Sequence, residues 1–119
     1  MPDGFFVVGF RGRKIMEFRF VYITAGSDAE ARTIATALVK EHLAACANII
    51  PGMHSIYRWE GKIAEADETV LIAKTSRDRV PALMERVRVL HSYDCPCVVS
   101  LAVEDGNPDY LDWLAKETA

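Results

Sequence analysis

The order of elements in this chain predicts an α+β fold, an antiparallel sheet in β-α-β-β-α-β order with a short helix after the last strand. Three observations carry that expectation. Residues 45–75 read as two long strands folded about Glu60-Gly61-Lys62, with aromatic and β-branched residues at every second position. Segments with apolar residues at three- and four-residue spacing stand on either side of this hairpin. Each of those borders a further alternating run, Phe18–Ala25 before the first and residues 96–103 after the second. Two βαβ units sharing one antiparallel sheet make the ferredoxin-like pattern, with helices covering one face.

Taken in order, residues 1–16 are read as an N-terminal extension or an extra edge strand formed by Phe5, Phe6, Val7, Val8 and Phe10, ahead of a single domain over residues 17–119. In the first strand Phe18, Phe20 and Tyr22 alternate against Arg19, Val21 and Ile23. Ser27-Asp28-Ala29-Glu30 fits a capping box, in which Ser27 and Glu30 satisfy backbone donors at a helix start. The helix is expected to run to about Leu43, with Ala31, Ile34, Ala35, Leu38 and His42 as one stripe and His42 at its edge near the C-terminus.

The hairpin is the unusual element. One strand over residues 45–59 would span roughly 50 Å at about 3.3 Å per residue, whereas a compact chain of this size is about 35 Å across. The ribbon therefore overhangs its domain or breaks part-way, and Pro51-Gly52 is the natural place for a bulge. An overhanging ribbon with unpaired edges invites another copy of itself. Ser55, Tyr57 and Trp59 are expected on one face, Ile56 and Arg58 on the other.

A second helix is expected after a cap at Ser76 or Asp78, with Pro81 in its first turns and Val80, Leu83, Val87 and Leu90 inward. The turn-rich stretch Glu104-Asp105-Gly106-Asn107-Pro108 separates the fourth strand from a last helix over residues 109–117.

Composition narrows function by exclusion. The chain has 119 residues, 50% of them hydrophobic, and a formal charge of −3. That balance argues against a general nucleic-acid binder, and the arginines at 77, 79, 86 and 88 read as a solvated helix face. No apolar run approaches the roughly 20 residues that cross a bilayer. Three cysteines without a disulfide spacing, and no evident secretion signal, predict a cytoplasmic protein. No nucleophile sits in a recognisable signature, so an enzyme is not expected.

The sharpest local feature is Cys95-Pro96-Cys97. Two thiols at i and i+2 on an extended segment point the same way, and with His91 nearby they are candidate ligands for a soft metal ion. The alternative is that both fill apolar positions at a strand start. Cys46, on the first limb of the hairpin, has the same two readings. Tyr57, Trp59, Tyr93 and Trp113, with Lys74 or His91 beside them, are candidate lining of a ligand cleft.

Leu43-Ala44-Ala45-Cys46-Ala47-Asn48-Ile49-Ile50-Pro51-Gly52, Ser55-Ile56-Tyr57-Arg58-Trp59-Glu60-Gly61-Lys62, Lys74-Thr75, His91-Ser92-Tyr93-Asp94 and Gly106-Asn107-Pro108-Asp109-Tyr110-Leu111-Asp112-Trp113 together resemble the CutA family of divalent-cation-tolerance proteins. The resemblance runs from about Phe18 to Leu114. It implies a homotrimer with sheets paired around a threefold axis, kinship in architecture with PII small-molecule sensors whose ligands sit between subunits, binding of copper or another divalent metal ion, and no defining enzymatic reaction. Family copper sites use a cysteine near the end of the first strand and two adjacent histidines after the second helix. The matching positions here are Ile23, and Leu90 with His91, so only His91 is kept. Cys95 and Cys97 are departures from the family pattern, which places the expected metal site at His91, Cys95 and Cys97, with Cys46 as a further candidate.

Overall fold

A computed structural model describes residues 17–119; the expected edge strand over residues 5–10 lies outside them. The elements are β1 (Phe18–Ala25), α1 (Asp28–Lys40), β2 (Cys46–Trp59), β3 (Lys62–Ser76), α2 (Val80–Leu90), β4 (Val98–Val103) and α3 (Pro108–Glu117), with a 3₁₀ turn at Arg77–Arg79. The strands form one antiparallel sheet in the order β2-β3-β1-β4, the ferredoxin-like arrangement.

The hairpin closes as alternation required. Glu60 and Gly61 both have positive φ, 49° and 79°, and join strands paired as Trp59 with Lys62. This is the two-residue turn whose twist matches that of the strands it connects. Pairing slips between Ile50 and Met53, where three steps along β2 oppose two along β3. Pro51-Gly52 is thus a bulge within a continuous strand, Gly52 supplying φ of 80° and Pro51 sitting on an edge strand where its missing N–H costs nothing. The hairpin stretches the molecule to 53 × 27 × 22 Å with a radius of gyration of 15.9 Å.

Alternation along each strand sorts the sheet into two faces. One carries Val21, Ile23, Leu71 and Ala73, which pack against Ile34, Ala35 and Leu38 of α1 and Leu83 and Val87 of α2. Among the described residues the opposite face has no such cover: α3 reaches it at a corner, where Leu111 and Leu114 bury Phe18 and Ala45. The remainder leaves Ile50, Val99 and Leu101 about half exposed. The two βαβ helices thus cover one face as expected, and α3 packs at a corner of the other.

Two helix boundaries and one strand boundary also differ from the periodicity. Helix α1 stops at Lys40 because His42 takes a left-handed φ of 58°. The Leu43 N–H then reaches the Leu38 carbonyl and the His42 N–H the Val39 carbonyl, a Schellman closure. His42 consequently lies beyond the helix, and its Nδ1 lies 3.0 Å from the Glu117 carbonyl. Before α2, the 3₁₀ turn intervenes and Arg79 takes the cap position; Ser76, expected to cap, instead accepts a hydrogen bond from Thr118. Strand β4 begins at Val98 rather than Pro96, so Cys95 and Cys97 stand on the segment leading into it.

Candidate functional site

The face away from α1 and α2 ends in a cleft of about 440 Å³, lined by Thr24, Tyr57, Trp59, Glu68, Tyr93, Asp94, Cys95 and Cys97. Three elements build it. The far half of the hairpin brings Tyr57 and Trp59 from β2 and Glu68 from β3. The end of β1 brings Thr24. The loop after α2 brings residues 93–97. That loop is anchored where the Thr24 N–H meets the Cys97 carbonyl at 3.3 Å.

His91 lies behind this wall, its side chain entirely buried. Its Nε2 is 2.7 Å from the Thr24 carbonyl, so Nε2 must be the donor. Nδ1 is then left to accept from the Tyr93 N–H at 3.1 Å. In this arrangement both nitrogens are engaged with backbone and neither offers a lone pair to a metal. The ring fastens the loop to β1 and packs against Tyr93, with centroids 4.6 Å apart.

Glu68 is held in the cleft by two hydroxyls, Ser55 Oγ at 2.6 Å on one oxygen and Tyr93 Oη at 2.9 Å on the other. Tyr93 is pushed up to about 12 by burial first, then by its bond to Glu68 and the charges of Glu68 and Glu30. It remains a hydroxyl donor at any ordinary pH. Glu30 completes the support. The Ser27 hydroxyl accepts from the Glu30 N–H as a capping box requires, but the Glu30 carboxylate turns outward from the box. One oxygen takes the Gly26 N–H at 2.9 Å and the other the Ser92 N–H at 2.7 Å. Burial works to raise its pKa, yet these bonds and the neighbouring His91 outweigh it and hold the carboxylate below its ordinary value. Helix α1 and the cleft loop are thereby joined.

The residues expected to share one cleft are divided by the structure. Tyr57, Trp59, Tyr93, Cys95 and Cys97 line it, with His91 behind. Lys74, Trp113 and Cys46 lie at the other end of the same face. Lys74 and Glu68 are six residues apart on β3, roughly 20 Å at about 3.3 Å per residue. There Lys74 Nζ stands 5.1 Å from the Phe20 ring centre and 5.7 Å from that of Tyr110, and Trp113 packs on Tyr110. Cys46 Sγ is 3.6 Å from the Tyr110 hydroxyl, which burial, and then this contact, pushes up to about 12. Within one chain, then, Cys46 does not join Cys95 and Cys97. Among the described residues no group of three or more His, Cys, Asp or Glu side chains is placed to hold a metal.

Two positions of the cleft lie outside the sequence reading. Glu68 stands in a run of acids with Glu65 and Asp67, yet those two face the opposite way and flank His54 at 2.6 and 2.8 Å. Counting back from the two-residue turn separates them, because Ala64, Ala66 and Glu68 share the face of Tyr57. Thr24 carried no signal, since its role rests on a backbone carbonyl.

The family model described as CutA1 divalent ion tolerance protein matches residues 19–117. The divalent-cation tolerance protein CutA of Thermus thermophilus is 52% identical over 98 residues, covering 82% of this chain and 95% of that protein. Its solved structure superposes with a TM-score of 0.84 at 50% identity, covering 86% of this chain and 99% of that one. The structure of a protein described as the periplasmic divalent cation tolerance protein CutA from Archaeoglobus fulgidus matches with a TM-score of 0.83 at 39% identity, over 86% of this chain and 99% of that one. A CutA homolog of Xenopus laevis is 47% identical over 93 residues, 78% of this chain but only 62% of its own length.

Proposed function

We propose, from the premise that this chain belongs to the CutA1 divalent ion tolerance family, that it serves divalent-cation tolerance as a homotrimer which binds copper or another divalent metal ion and catalyses no reaction. Residues 17–119 act as the single domain of that assembly, with residues 1–16 an extension to it and the cytoplasm its working compartment. The start of the family match at residue 19 supports the boundary.

The observation that carries the reading is the sheet face away from α1 and α2, which among the described residues α3 covers only at a corner. Ile50, Val99 and Leu101 stand about half exposed on it, and Tyr57 and Trp59 are 43% and 61% exposed at its far end. An apolar sheet face and an overhanging hairpin whose outer β2 edge pairs with no other described strand are what further copies of the chain would cover. The cleft lies at the far end of that face.

Native mass spectrometry of the purified protein, alone and with added Cu(II) or Zn(II), tests the proposal. A three-chain species that takes up ions in proportion to its chains supports it. A monomer refutes the assembly, and a trimer that retains neither ion refutes the metal role.

A second reading has its own support. A cleft of about 440 Å³ with three aromatic walls falls within the range of small-molecule sites. A PII-like sensor binding a metabolite there would be stabilised by nucleotides or metabolites without metal, which a thermal-shift panel reads directly.

A further inference from the structure

The sheet face away from α1 and α2 carries two aromatic clusters, and they differ in charge. In the one beside α3 the protein supplies its own cation. Lys74 Nζ stands 5.1 Å from the Phe20 ring centre and 5.7 Å from that of Tyr110. The cleft at the other end has three rings, Tyr57, Trp59 and Tyr93, and two acids, Glu68 and Asp94. Its lining contains no Lys, Arg or His, and Lys62, paired with Trp59 at the turn, stands outside it.

Strand register explains the room between these groups. Tyr57 stands opposite Ala64 and Ser55 opposite Ala66, so small side chains leave the floor open between the rings and Glu68. All three rings are partly exposed. Glu68 is fixed in place by Ser55 Oγ at 2.6 Å and Tyr93 Oη at 2.9 Å, and Tyr93 by its packing on the His91 ring. Each oxygen of Glu68 thus accepts from a neutral hydroxyl, which satisfies a lone pair and leaves the negative charge uncompensated. A bulky cation answers that charge without breaking either hydrogen bond. Aromatic faces, negative by their quadrupole, attract the same kind of ligand.

We infer that this cleft binds an organic ammonium cation, its alkylated nitrogen among Tyr57, Trp59 and Tyr93 and its charge facing Glu68 and Asp94. The inference rests on the small-molecule reading above and names the class of ligand. Alkyl groups on the nitrogen spread its charge over an apolar surface that matches the rings, which is how aromatic walls recognise quaternary ammonium groups. Nucleotides and other phosphorylated molecules are disfavoured, because their charge would meet two carboxylates with no base in the lining to offset them.

Three probes that share a benzyl group and differ in head group test this: benzyltrimethylammonium, benzyl alcohol and benzylphosphonate. Calorimetry reads their binding to the full chain in its native assembly. The ammonium should bind tightest and the phosphonate weakest. Glu68→Gln should weaken the ammonium about fivefold, the upper range for an exposed ion pair, and leave the alcohol unchanged. Trp59→Leu should weaken it roughly 3- to 30-fold, as loss of a cation–π contact does, whereas Trp113→Phe, at the other cluster, should have no effect. Equal affinity for ammonium and alcohol, or ammonium binding that both Glu68→Gln and Trp59→Leu leave intact, overturns the inference. Benzylphosphonate or a nucleotide that binds tighter than the ammonium, and is lost in Trp59→Leu, overturns the cationic class and leaves the small-molecule reading standing. A chain that binds none of the three overturns the inference, and if no compound of the thermal-shift panel binds either, the reading beneath it falls too.

Discussion

Replacing Glu30 tests how the cleft loop is held. Its carboxylate accepts the Gly26 N–H at 2.9 Å and the Ser92 N–H at 2.7 Å, and its Oε2 is 3.7 Å from His91 Nδ1. A hydrogen bond to an ionised group contributes about 1.5–3 kcal/mol. Gly26 and Ser92 are exposed, so water replaces a lost partner and the lower value applies. Glu30→Gln keeps one acceptor oxygen and should cost about 1.5 kcal/mol, and Glu30→Ala loses both bonds and should cost about 3 kcal/mol. The sign with pH follows from the lowered folded-state pKa. The carboxylate's contribution is fully present above the ordinary value of 4.5 and is lost as pH falls through the lower folded value. The gap between wild type and Glu30→Gln should thus be widest near neutrality and close in acid. Urea denaturation at fixed chain concentration measures it, concentration being held because assembly adds to stability. A glutamine variant as stable as wild type at neutral pH, or a gap that stays constant into acid, refutes the claim that this charge ties α1 to the loop.

Three further outcomes are expected. His54, between Glu65 and Asp67, should titrate above its ordinary 6.5, because hydrogen bonds to Glu65 and then Asp67 favour the charged ring. Its small stabilisation is present below 6.5 and lost as pH rises through the folded value, and NMR titration should show the shift vanish in Glu65→Gln/Asp67→Asn. Gly61→Ala, at a φ of 79°, should destabilise the hairpin by about 1–2 kcal/mol, read as a lower denaturation midpoint with an unchanged slope. Spectrophotometric titration should find that Tyr93→Phe removes a tyrosine ionising at about 12, whereas Glu68→Gln lowers that ionisation towards the ordinary tyrosine range.

Much of the fold was legible in the sequence because each element announces its period. Strand alternation in Phe18–Ala25, the three-and-four spacing of Ala31, Ile34, Ala35 and Leu38, and the Glu60-Gly61 turn depend on near neighbours only. The aromatic and thiol character of the cleft was equally visible, since Tyr57, Trp59, Tyr93, Cys95 and Cys97 are conspicuous residue types. Helix ends were less so. His42 leaves the helix through its own backbone angle, which no side-chain pattern records.

What tertiary structure alone decided is which of these residues meet. The one-residue bulge at Pro51-Gly52 shifts the parity of β2. Cys46 and Trp59, which strict alternation would put on opposite faces, end on the same one. The length of β3 then separates Lys74 from Glu68 and divides one expected cleft into two aromatic clusters. His91 was readable as a ligand until its two nitrogens were found on the Thr24 carbonyl and the Tyr93 N–H, partners that carry no residue identity. Periodicity fixes which way a side chain faces along its own strand. Register between strands, and the backbone groups a fold brings to a side chain, depend on contacts far apart in the chain, and those decided the site.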